Sequence, residues 1–443
     1  MAGEWQVLTV DQIKAKDDRA IAIGPFGSRM KADTYVSSGV PVIRGNNISD
    51  TRVFVDDFVF VSEQTADELR ACNVFSGDLV FPHRGAIGQV GIIPEGDISR
   101  FMLSTSLMKL TCNRELVDPL FVFYFFRSAL GRHALLQHAS TVGTPGIGQP
   151  LSSLRSIQIP VPPLPEQHAI AHVLGTLDGK IELNRNRNET LEAMVRALFK
   201  DWFIDFGPVR SKMEGSEPYL PGEIWHLFPE RLGDEERPEG WCRSTLAEFA
   251  SLNPESWSRK NIPIEIEYVD LANTKWGTIE AAARMPWAEA PSRAQRILRY
   301  GDTIVGTVRP GNGSYAFIGS DGLTGSTGFA VLRPIQEDFR EFVFLSATSK
   351  ENIERLAHLA DGAAYPAVRP EVVLATPVSV PEIGSREGVL DAFSKVTKTL
   401  LDSIEQNKRD SLSLVSMRDA LLPKLISGEL RIKDAERIVG VAL

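Results

Sequence analysis

Cysteine is scarce in this chain, and the few cysteines do not cluster. Cys72, Cys112 and Cys242 lie too far apart for the short spacings of zinc sites. We therefore expect no disulfide framework, and the usage is typical of a reducing cytoplasm. No apolar run approaches the ~20 residues of a membrane span. The first residues, MAGEWQVLTVDQIKAKDD, lack the basic and then apolar layout of a secretory signal.

Motifs that would name a catalytic site are also missing. We find no Gly-x-x-x-x-Gly-Lys phosphate loop, no Gly-x-Ser-x-Gly elbow and no paired carboxylates of glycosidase or nuclease type. The segment GTPGIG at 143–148 has the glycines of a phosphate loop but no lysine, which indicates a turn. His168 and His172 have the spacing of metal ligands on a helix, but no third ligand is evident. We predict that the chain is not an enzyme and binds no metal.

An excess of positive charge is missing too. The chain has 48 Lys and Arg against 57 Asp and Glu, a net charge of −9, which weighs against general nucleic-acid binding. Residues 204–240, rich in Pro and Gly, hold nine acids and four bases and so contribute −5 of that charge. Residues 1–165 hold 15 bases and 16 acids, which is compatible with a local basic face.

The dominant pattern is a heptad seam between residues 166 and 203. Its positions alternate by four and three residues, which predicts one long helix with a partner. Prolines at 160, 162, 163 and 165 precede it. The seam residues are Ile170, Leu174, Leu177, Ile181, Asn184, Asn188, Leu191, Val195, Leu198 and Trp202.

A second copy of the seam follows at an offset of 223 residues and predicts a helix over 388–426. Ile181 recurs as Ile404 and Asn184 as Asn407, whereas Arg418 stands in place of Val195. We predict that the two helices pack antiparallel as a coiled coil. A polar layer of Asn184, Asn188, Asn407 and Ser411 would then fix their register. The alternative is that these amides turn outward to solvent.

Each long helix follows a globular segment of the same plan. Gly77-Asp78 in residues 1–165 is answered by Gly301-Asp302 in residues 241–382. Short β-like runs alternate with helical and loop segments in both. The sequence predicts a mixed α/β (α+β) fold with two pseudo-repeated domains and two long helices.

The loops of the repeated domains carry side chains that suit base edges, where Arg reads guanine and Asn reads adenine. An ordinary polar loop is the alternative at each position. The candidate residues are Ser28, Arg29, Lys31, Arg44, Asn46, Asn47, His83, Arg84 and Thr144 in the first domain, and Asn273, Lys275, Arg309, Asn312, Tyr365 and Arg369 in the second.

Several stretches together resemble the specificity subunits of type I restriction–modification systems. They are GPFGSRMKADTYVSSGVPVIRGNNI, HRGAIGQVGIIP, the region PVPPLPEQHAIAHVLGTLDGKIELNRNRNETLEAMVRALFKDWFIDF, LFPERLGDEERPEGW and LLPKLISGELRI. The second domain departs from the family pattern: IRGNNI becomes VDLANT, and HRG becomes VRPGNG.

The resemblance implies that the chain recognises DNA and is not itself catalytic. Each domain would read one half of a split double-stranded target, and the helices would hold the domains apart and bind two methyltransferase subunits. S-adenosylmethionine would be bound by those methyltransferase subunits, and ATP with Mg by motor–nuclease subunits. Whether two motor–nuclease subunits also join the complex is open. The boundaries that we infer are 1–165 and 241–382 for the target-recognition domains, 166–207 and 383–428 for the long helices, 208–240 for the connector and 429–443 for the tail.

Two other interpretations stay open. One is a related complex that reuses such a subunit, for example a phage-defence methylation system. The other is a coiled-coil scaffold that does not touch DNA.

Overall fold

A computed structural model describes residues 5–26, 29–49, 51–52, 54, 57–140, 143–258, 260–362 and 365–442. The chain forms two compact units: residues 1–185 with 409–443 make up unit 1, and residues 186–408 make up unit 2. Each unit combines one repeated domain with part of both long helices. The unit boundaries therefore fall inside the helices, whereas the boundaries inferred from sequence fall at their ends.

The first domain is built from short strands, and they pair into two principal sheets. One sheet has the order β2-β10-β7-β8, and the other has the order β3-β5-β4-β9-β6, with β4 and β9 parallel. A separate pair, β1 with β13, joins the start of the domain to its end. The strands are β1 (Gln6–Thr9), β2 (Ile21–Ile23), β3 (Tyr35–Val36), β4 (Val40–Ile43), β5 (Val59–Val61), β6 (Asn73–Val74), β7 (Leu79–Pro82), β8 (Gly91–Ile92), β9 (Phe101–Leu103), β10 (Leu107–Leu110), β11 (Ala139–Ser140), β12 (Gly146–Ile147) and β13 (Gln158–Val161).

The aromatic run after β10 forms a pair of helices. The break lies at Ser128, whose hydroxyl accepts a hydrogen bond from the Gly131 amide at 3.2 Å and so caps the second helix. Residues 121–126 are all buried, so the first helix of the pair forms part of the core of unit 1. The helices of this domain are α1 (Val10–Ile13), α2 (Glu63–Glu68), α3 (Pro119–Arg127), α4 (Ala129–Leu136) and α5 (Pro150–Ser156).

The first predicted long helix is α6 (Leu164–Phe203), and two short helices follow it, α7 (Gly207–Met213) and α8 (Gly222–Trp225). Gln167 fixes the entry to α6 from a fully buried position. Its amide nitrogen donates to the Pro162 and Leu116 carbonyls, and its amide oxygen accepts from the Asp118 amide. One side chain thus satisfies backbone groups of the preceding segment and of the loop before α3.

The second domain repeats the strand order of the first, except that β3 has no counterpart among its described strands. Its sheets have the orders β15-β24-β21-β22 and β19-β16-β23-β20, with β16 and β23 parallel, and β14 pairs with β25. The strands are β14 (Trp241–Thr245), β15 (Ala250–Leu252), β16 (Glu265–Val269), β17 (Thr274–Lys275), β18 (Thr278–Ile279), β19 (Ala283–Pro286), β20 (Ala294–Ile297), β21 (Thr303–Gly306), β22 (Tyr315–Phe317), β23 (Leu323–Ser326), β24 (Phe329–Pro334) and β25 (Pro377–Pro381). Its helices are α9 (Arg340–Ala347), α10 (Lys350–Leu359) and α11 (Pro370–Leu374).

The Gly-Asp pairs that revealed the repeat form the same turn in both domains. Gly77 and Gly301 have φ values of 86° and 87°, which favour glycine. The carboxylate of Asp78 accepts from the Phe75 amide at 2.9 Å, and that of Asp302 accepts from the Arg299 amide at 2.8 Å. The repeat read from sequence therefore corresponds to a repeated backbone geometry.

The second long helix is α12 (Ile383–Ile426), and α13 (Ile432–Ala442) follows it. In unit 1, Arg418 Nη1 donates to Asp178 Oδ1 at 2.8 Å, and Asn184 Nδ2 donates to Ser411 Oγ at 3.3 Å. Residue numbers rise along α6 while the numbers of the partners fall along α12, so the segments run antiparallel as predicted. The α12 helix begins at Ile383, where the segment 383–428 inferred from sequence also begins, and so starts five residues before the helix predicted from the seam over 388–426.

In unit 2 the other parts of the same helices also pair. Asn407 Nδ2 donates to Asn188 Oδ1 at 2.8 Å, and Asn188 Nδ2 donates to the Ile404 carbonyl at 3.3 Å. The four residues of the predicted polar layer thus contact one another in pairs, Asn184 with Ser411 and Asn188 with Asn407. Their amides face the seam rather than solvent.

Each unit has its own core. That of unit 1 joins the aromatic residues of α3 to Leu174 and Leu177 of α6 and to Leu421 and Leu425 of α12. That of unit 2 centres on packed rings, and Phe203 lies 5.0 Å from both Phe342 and Phe393, measured between ring centroids. Among the described residues, no helix is long and apolar enough to cross a membrane.

Candidate nucleic-acid interface

A short backbone ladder brings two of the predicted loops of the first domain together. The Gly85 amide donates to the Pro145 carbonyl, and the Ile147 amide donates to the His83 carbonyl, both at 2.9 Å. The exposed side chains of Arg84 and Thr144 lie on the two strands of this ladder. The segment 143–148, predicted as a turn, is therefore what holds the Arg84 loop in place.

The second domain contains the same ladder with different side chains. The Arg309 amide donates to the Pro366 carbonyl at 2.7 Å, and the Val368 amide donates to the Thr307 carbonyl at 2.9 Å. By these bonds Arg309 corresponds to Gly85, and the bridge Val308–Ala367 corresponds to Arg84–Gly146. The arginines of the two domains are thus offset by one position along the ladder.

Arg309 has a positive φ, and Gly85, the equivalent residue of the first domain, also has one but adopts it without steric strain. The φ of Arg309 is 47°, in the left-handed region, and Gly85 has a φ of 78°. Such a conformation costs roughly 1–2 kcal/mol for a residue with a side chain. The guanidinium lies 5.1 Å from the ring centroid of Tyr365, which is 73% exposed. Arg309 thus combines a strained backbone with an exposed side chain stacked near an exposed aromatic ring.

Trp276 lies beside this cluster, although it was not among the predicted site residues. It occupies the tip of the β17–β18 hairpin with a φ of 47°, and its amide donates to the Gly313 carbonyl at 2.7 Å. The indole passes so close to Gly313 that a Cβ there would lie 2.5 Å from the ring. With one face against Gly313, the side chain is still 58% exposed. The signal in the sequence was the Lys-Trp-Gly tripeptide at 275–277.

The predicted residues Asn273, Lys275 and Asn312 belong to the same surface. Lys275 and Asn312 are exposed, and Asn273 is half-buried at the base of the hairpin, where its carbonyl accepts from the Glu280 amide at 2.8 Å. Arg309 and Asn312 enclose the turn that Trp276 covers, and the Asn312 amide donates to the Arg309 carbonyl. Arg309, Asn312, Lys275, Trp276 and Tyr365 therefore form one exposed cluster, which we call the domain 2 cluster.

The IRGNNI loop of the first domain divides its polar residues between inside and outside. Asn47 is 0% exposed; its amide oxygen accepts from the Arg44 amide and its amide nitrogen donates to the Asp57 carbonyl. The expectation that Asn47 faces DNA is therefore wrong, because its hydrogen-bonding groups fix the loop from within. Asn46 is exposed, and Arg44 is half-buried with its guanidinium 3.1 Å from the Asp57 carboxylate.

His83 is likewise buried rather than presented at the surface, which corrects its assignment. Its Nε2 lies 3.1 Å from the Thr105 carbonyl. Burial lowers the pKa of His83 below its ordinary value and so favours the neutral ring. A neutral, buried imidazole supports the ladder that carries Arg84, and it adds no positive charge.

The remaining predicted residues are more scattered. Arg29 and Lys31 are exposed and both precede the turn at Ala32–Thr34, and Arg369 is exposed immediately before α11. Ser28 lies outside the described residues.

Contacts within unit 2 tie the domain 2 cluster to the long helices. Arg196 of α6 lies 3.3 Å from the Tyr315 hydroxyl, and the Tyr315 ring packs edge-on against Trp276. Lys408 of α12 donates to the Gly277 carbonyl at 3.1 Å. The hairpin tip is thus supported by both helices, which favours a fixed geometry for its exposed side chains.

The part of the chain that the structure describes contains no group of three or more His, Cys, Asp or Glu side chains that could hold a metal ion. His168 and His172 are exposed on α6, and the nearest carboxylate oxygen to His168 is that of Asp118 at 3.7 Å. The three cysteines are free, and Cys72 and Cys112 are buried.

Comparison with known proteins points to one family. Residues 26–193 match the family model described as "Type I restriction modification DNA specificity domain". The MjaIX specificity subunit of Methanocaldococcus jannaschii is 24% identical over 64% of this chain and 63% of its own length, so this chain spans less than two thirds of that relative. The HindI specificity subunit of Haemophilus influenzae is 23% identical over 76% of this chain and 83% of its own length.

A solved structure supports the fold independently. The specificity subunit of a type I system from M. genitalium superimposes with a TM-score of 0.55 at 17% identity, covering 95% of this chain and 96% of that one. The likeness concerns the fold alone. The sequence matches agree with the resemblance read from the sequence: this chain is similar to the specificity subunits of type I restriction–modification systems, and the family model that residues 26–193 match describes a DNA specificity domain.

Proposed function

We propose that this chain recognises a bipartite double-stranded DNA target, with one half-site read by each repeated domain. In the first domain the contacts come from Arg84, Thr144 and Asn46, together with the exposed basic side chains of Arg29 and Lys31. In the second domain they come from the domain 2 cluster. Arginine and asparagine supply the donors and acceptors that match base edges.

The observation that carries this proposal is the repeated ladder with unlike side chains. The bonds Gly85–Pro145 and Arg309–Pro366 are the same backbone contact in the two domains. The residues displayed around them differ, with Arg84 and Thr144 in one domain and Arg309 and Tyr365 in the other. A shared backbone geometry with different exposed side chains suits a protein that presents two different DNA-contacting surfaces on one scaffold.

The partners and cofactors follow from this role. The long helices dock two methyltransferase subunits, and in a complex that restricts DNA two motor–nuclease subunits join. S-adenosylmethionine belongs to the former, ATP and Mg to the latter, and the whole complex works in the cytoplasm. The chain itself supplies recognition and spacing and carries out no chemical step.

The test is a domain exchange read out as a map of methylated bases. Residues 241–382 are replaced by those of a relative, and the variant is expressed with the cognate methyltransferase subunit in a host that lacks other adenine methylation. We expect one half of the methylated sequence to change while the other half and the gap stay as they were. The reciprocal exchange of residues 5–163 is the matched control and changes the other half. Change of both halves in either exchange contradicts the modular assignment.

Two further observations separate the alternatives. A chain that assembles with its methyltransferase but leaves no methylated sequence and retains no duplex DNA on a filter is a scaffold. A methylated genome with no translocating subunit encoded beside the gene identifies a methylation system without a motor.

A further inference from the structure

The buried contact between the long helices is polar in unit 1. Asp178 is 4% exposed and Arg418 is 6% exposed, and their side chains meet at 2.8 Å. The Tyr124 hydroxyl donates to the second carboxylate oxygen of Asp178 at 2.7 Å. Burial raises the pKa of Tyr124 well above its ordinary value, and Asp178 raises it further, so the hydroxyl stays a donor.

The equivalent contact in unit 2 is apolar. The repeat offset of 223 residues places Leu401 at the position of Asp178 and Val195 at that of Arg418. The hydrogen bond between Asn188 and Asn407 sets the helix register in unit 2, and this register brings Val195 opposite Leu400 and Leu401. Val195 is 0% exposed and Leu401 is 5% exposed, and both belong to the core of unit 2.

Half of the ten seam positions carry the same residue in both helices. Identical residues stand at 177 and 400, at 181 and 404, at 184 and 407, at 191 and 414, and at 198 and 421. These positions cannot distinguish pairing of α6 with α12 from pairing of α6 with the α6 of a second copy. The Asp178–Arg418 contact is where the two helices differ in charge.

We propose that Asp178 and Arg418 make the pairing of the long helices heterotypic and exclude like-with-like pairing with a second copy of this chain. In an α6–α6 pair of the same register, Asp178 would face Val195, and in an α12–α12 pair Arg418 would face Leu401. Asp178 would lose the guanidinium 2.8 Å away and keep only the Tyr124 hydroxyl and the more distant Arg127, 3.8 Å away. Arg418 would lose its buried partner and keep only its exposed neighbour Asp419. Removing one partner of a buried ion pair costs far more than replacing both by apolar residues, so the pair selects a partner more than it adds stability.

The test replaces the ion pair by the residues that unit 2 uses at the equivalent positions. The variant is Asp178→Leu with Arg418→Val, and Tyr124→Phe accompanies them because the hydroxyl would lose its acceptor. Two full-length copies with different affinity tags are co-expressed, purified on both tags in series and sized by light scattering. We expect the wild-type copies not to co-purify and the variant copies to do so. The constant for self-association should rise by about a hundredfold or more, the factor that corresponds to an unpaired buried charge.

The matched control is Val195→Leu with Leu401→Val, which exchanges two apolar residues in unit 2 and leaves the charges in place. It should stay single-copy. Asp178→Asn, which preserves the size of the side chain and an acceptor for Tyr124, gives a second reading if the triple variant aggregates, and it should co-purify at an intermediate level. The proposal is overturned if wild-type copies co-purify, or if the folded triple variant, or Asp178→Asn in its place, remains as strictly single-copy as the control.

Discussion

Asn188 and Asn407 share a hydrogen bond across the pair of long helices, with Asn407 Nδ2 donating to Asn188 Oδ1 at 2.8 Å. A buried amide in a helix seam opposes any shift in register, because a shifted amide would face hydrocarbon.

We expect the double variant Asn188→Leu with Asn407→Leu to keep or raise the unfolding temperature. The variant should also methylate targets in which the number of base pairs between the two half-sites varies. Apolar residues in a coiled-coil seam are more stabilising than asparagine, but they specify register less well. The measurement is methylation of a library of targets whose two half-sites are separated by different numbers of base pairs. The conservative control is Asn188→Gln. Loss of stability with an unchanged single gap would remove the register role.

Arg309→Gly should stabilise the fold and weaken DNA binding at the same time. Glycine adopts the left-handed φ of 47° without strain, so the free energy of unfolding should rise by about 1 kcal/mol. The loss of the guanidinium should lower affinity for duplex DNA, and the slope of affinity against salt concentration tells a phosphate contact from a base contact. Arg84→Ala, at an exposed site without a positive φ, is the comparison and should lower affinity without raising stability.

Trp276→Ala should weaken binding of the target half-site without unfolding the protein. The indole is largely exposed, so its removal uncovers little core, whereas aromatic contacts with a nucleic acid base contribute about 1–3 kcal/mol. Fluorescence anisotropy of a labelled target and thermal unfolding measure the two effects separately. Ile383→Ala removes an exposed apolar side chain at the start of α12 and should change neither. Equal affinity for Trp276→Ala and the wild type would exclude the indole from the interface.

The neighbouring residues Asn46 and Asn47 provide a matched pair. Asn47→Ala should lower the free energy of unfolding by about 1–3 kcal/mol, because the Arg44 amide and the Asp57 carbonyl lose their buried partner. Asn46→Ala should leave the unfolding temperature unchanged and alter discrimination between target sequences. The reverse result would show that the loop turns its residues the other way when it binds.

Glu255 should govern part of the acid stability of unit 2. Its carboxylate accepts from Arg299 at 2.9 Å and also from Arg333, and these bonds, led by that from Arg299, lower the pKa of Glu255 from 4.5 to about 2. A carboxyl group whose pKa is lower in the folded chain stabilises the fold above the unfolded pKa, and the effect disappears as the pH falls toward 2. The difference in unfolding temperature between the wild type and Glu255→Gln should be largest at pH 7 and should decrease below pH 4.5. Glu265→Gln, which removes a more exposed pair with Arg284, should have a smaller effect.

The helices and the repeat could be predicted because their signals are local and periodic. The seam residues from Ile170 to Trp202 recur with a heptad period, and the repeat offset of 223 residues is visible in the sequence alone. The seam alone would start the second helix at 388, five residues late, because the residues from Ile383 precede the seam and show no such period, whereas the segment boundary inferred at 383 coincides with the start of α12.

The arrangement of the candidate site depended on contacts that no local pattern contains. Asn46 and Asn47 are adjacent and alike, and only the position of Asp57 decides which one is buried. The exposure of Trp276 depends on the backbone of Gly313 beneath it. The correspondence of Arg309 with Gly85 rather than with Arg84 is set by pairing with a segment far along the chain.

Unit 2 is continuous in sequence, from residue 186 to 408, but unit 1 needs residues 409–443 to be complete. During translation, synthesis of unit 1 therefore begins first, and unit 1 is also the last of the two units to be completed. Until the end of α12 emerges, the apolar face of α6 at Leu174 and Leu177 lacks the leucines that cover it in the folded protein, among them Leu421 and Leu425. Throughout translation of the second domain, that nascent face is exposed to chaperones and to neighbouring chains, and a truncated product would leave it exposed permanently.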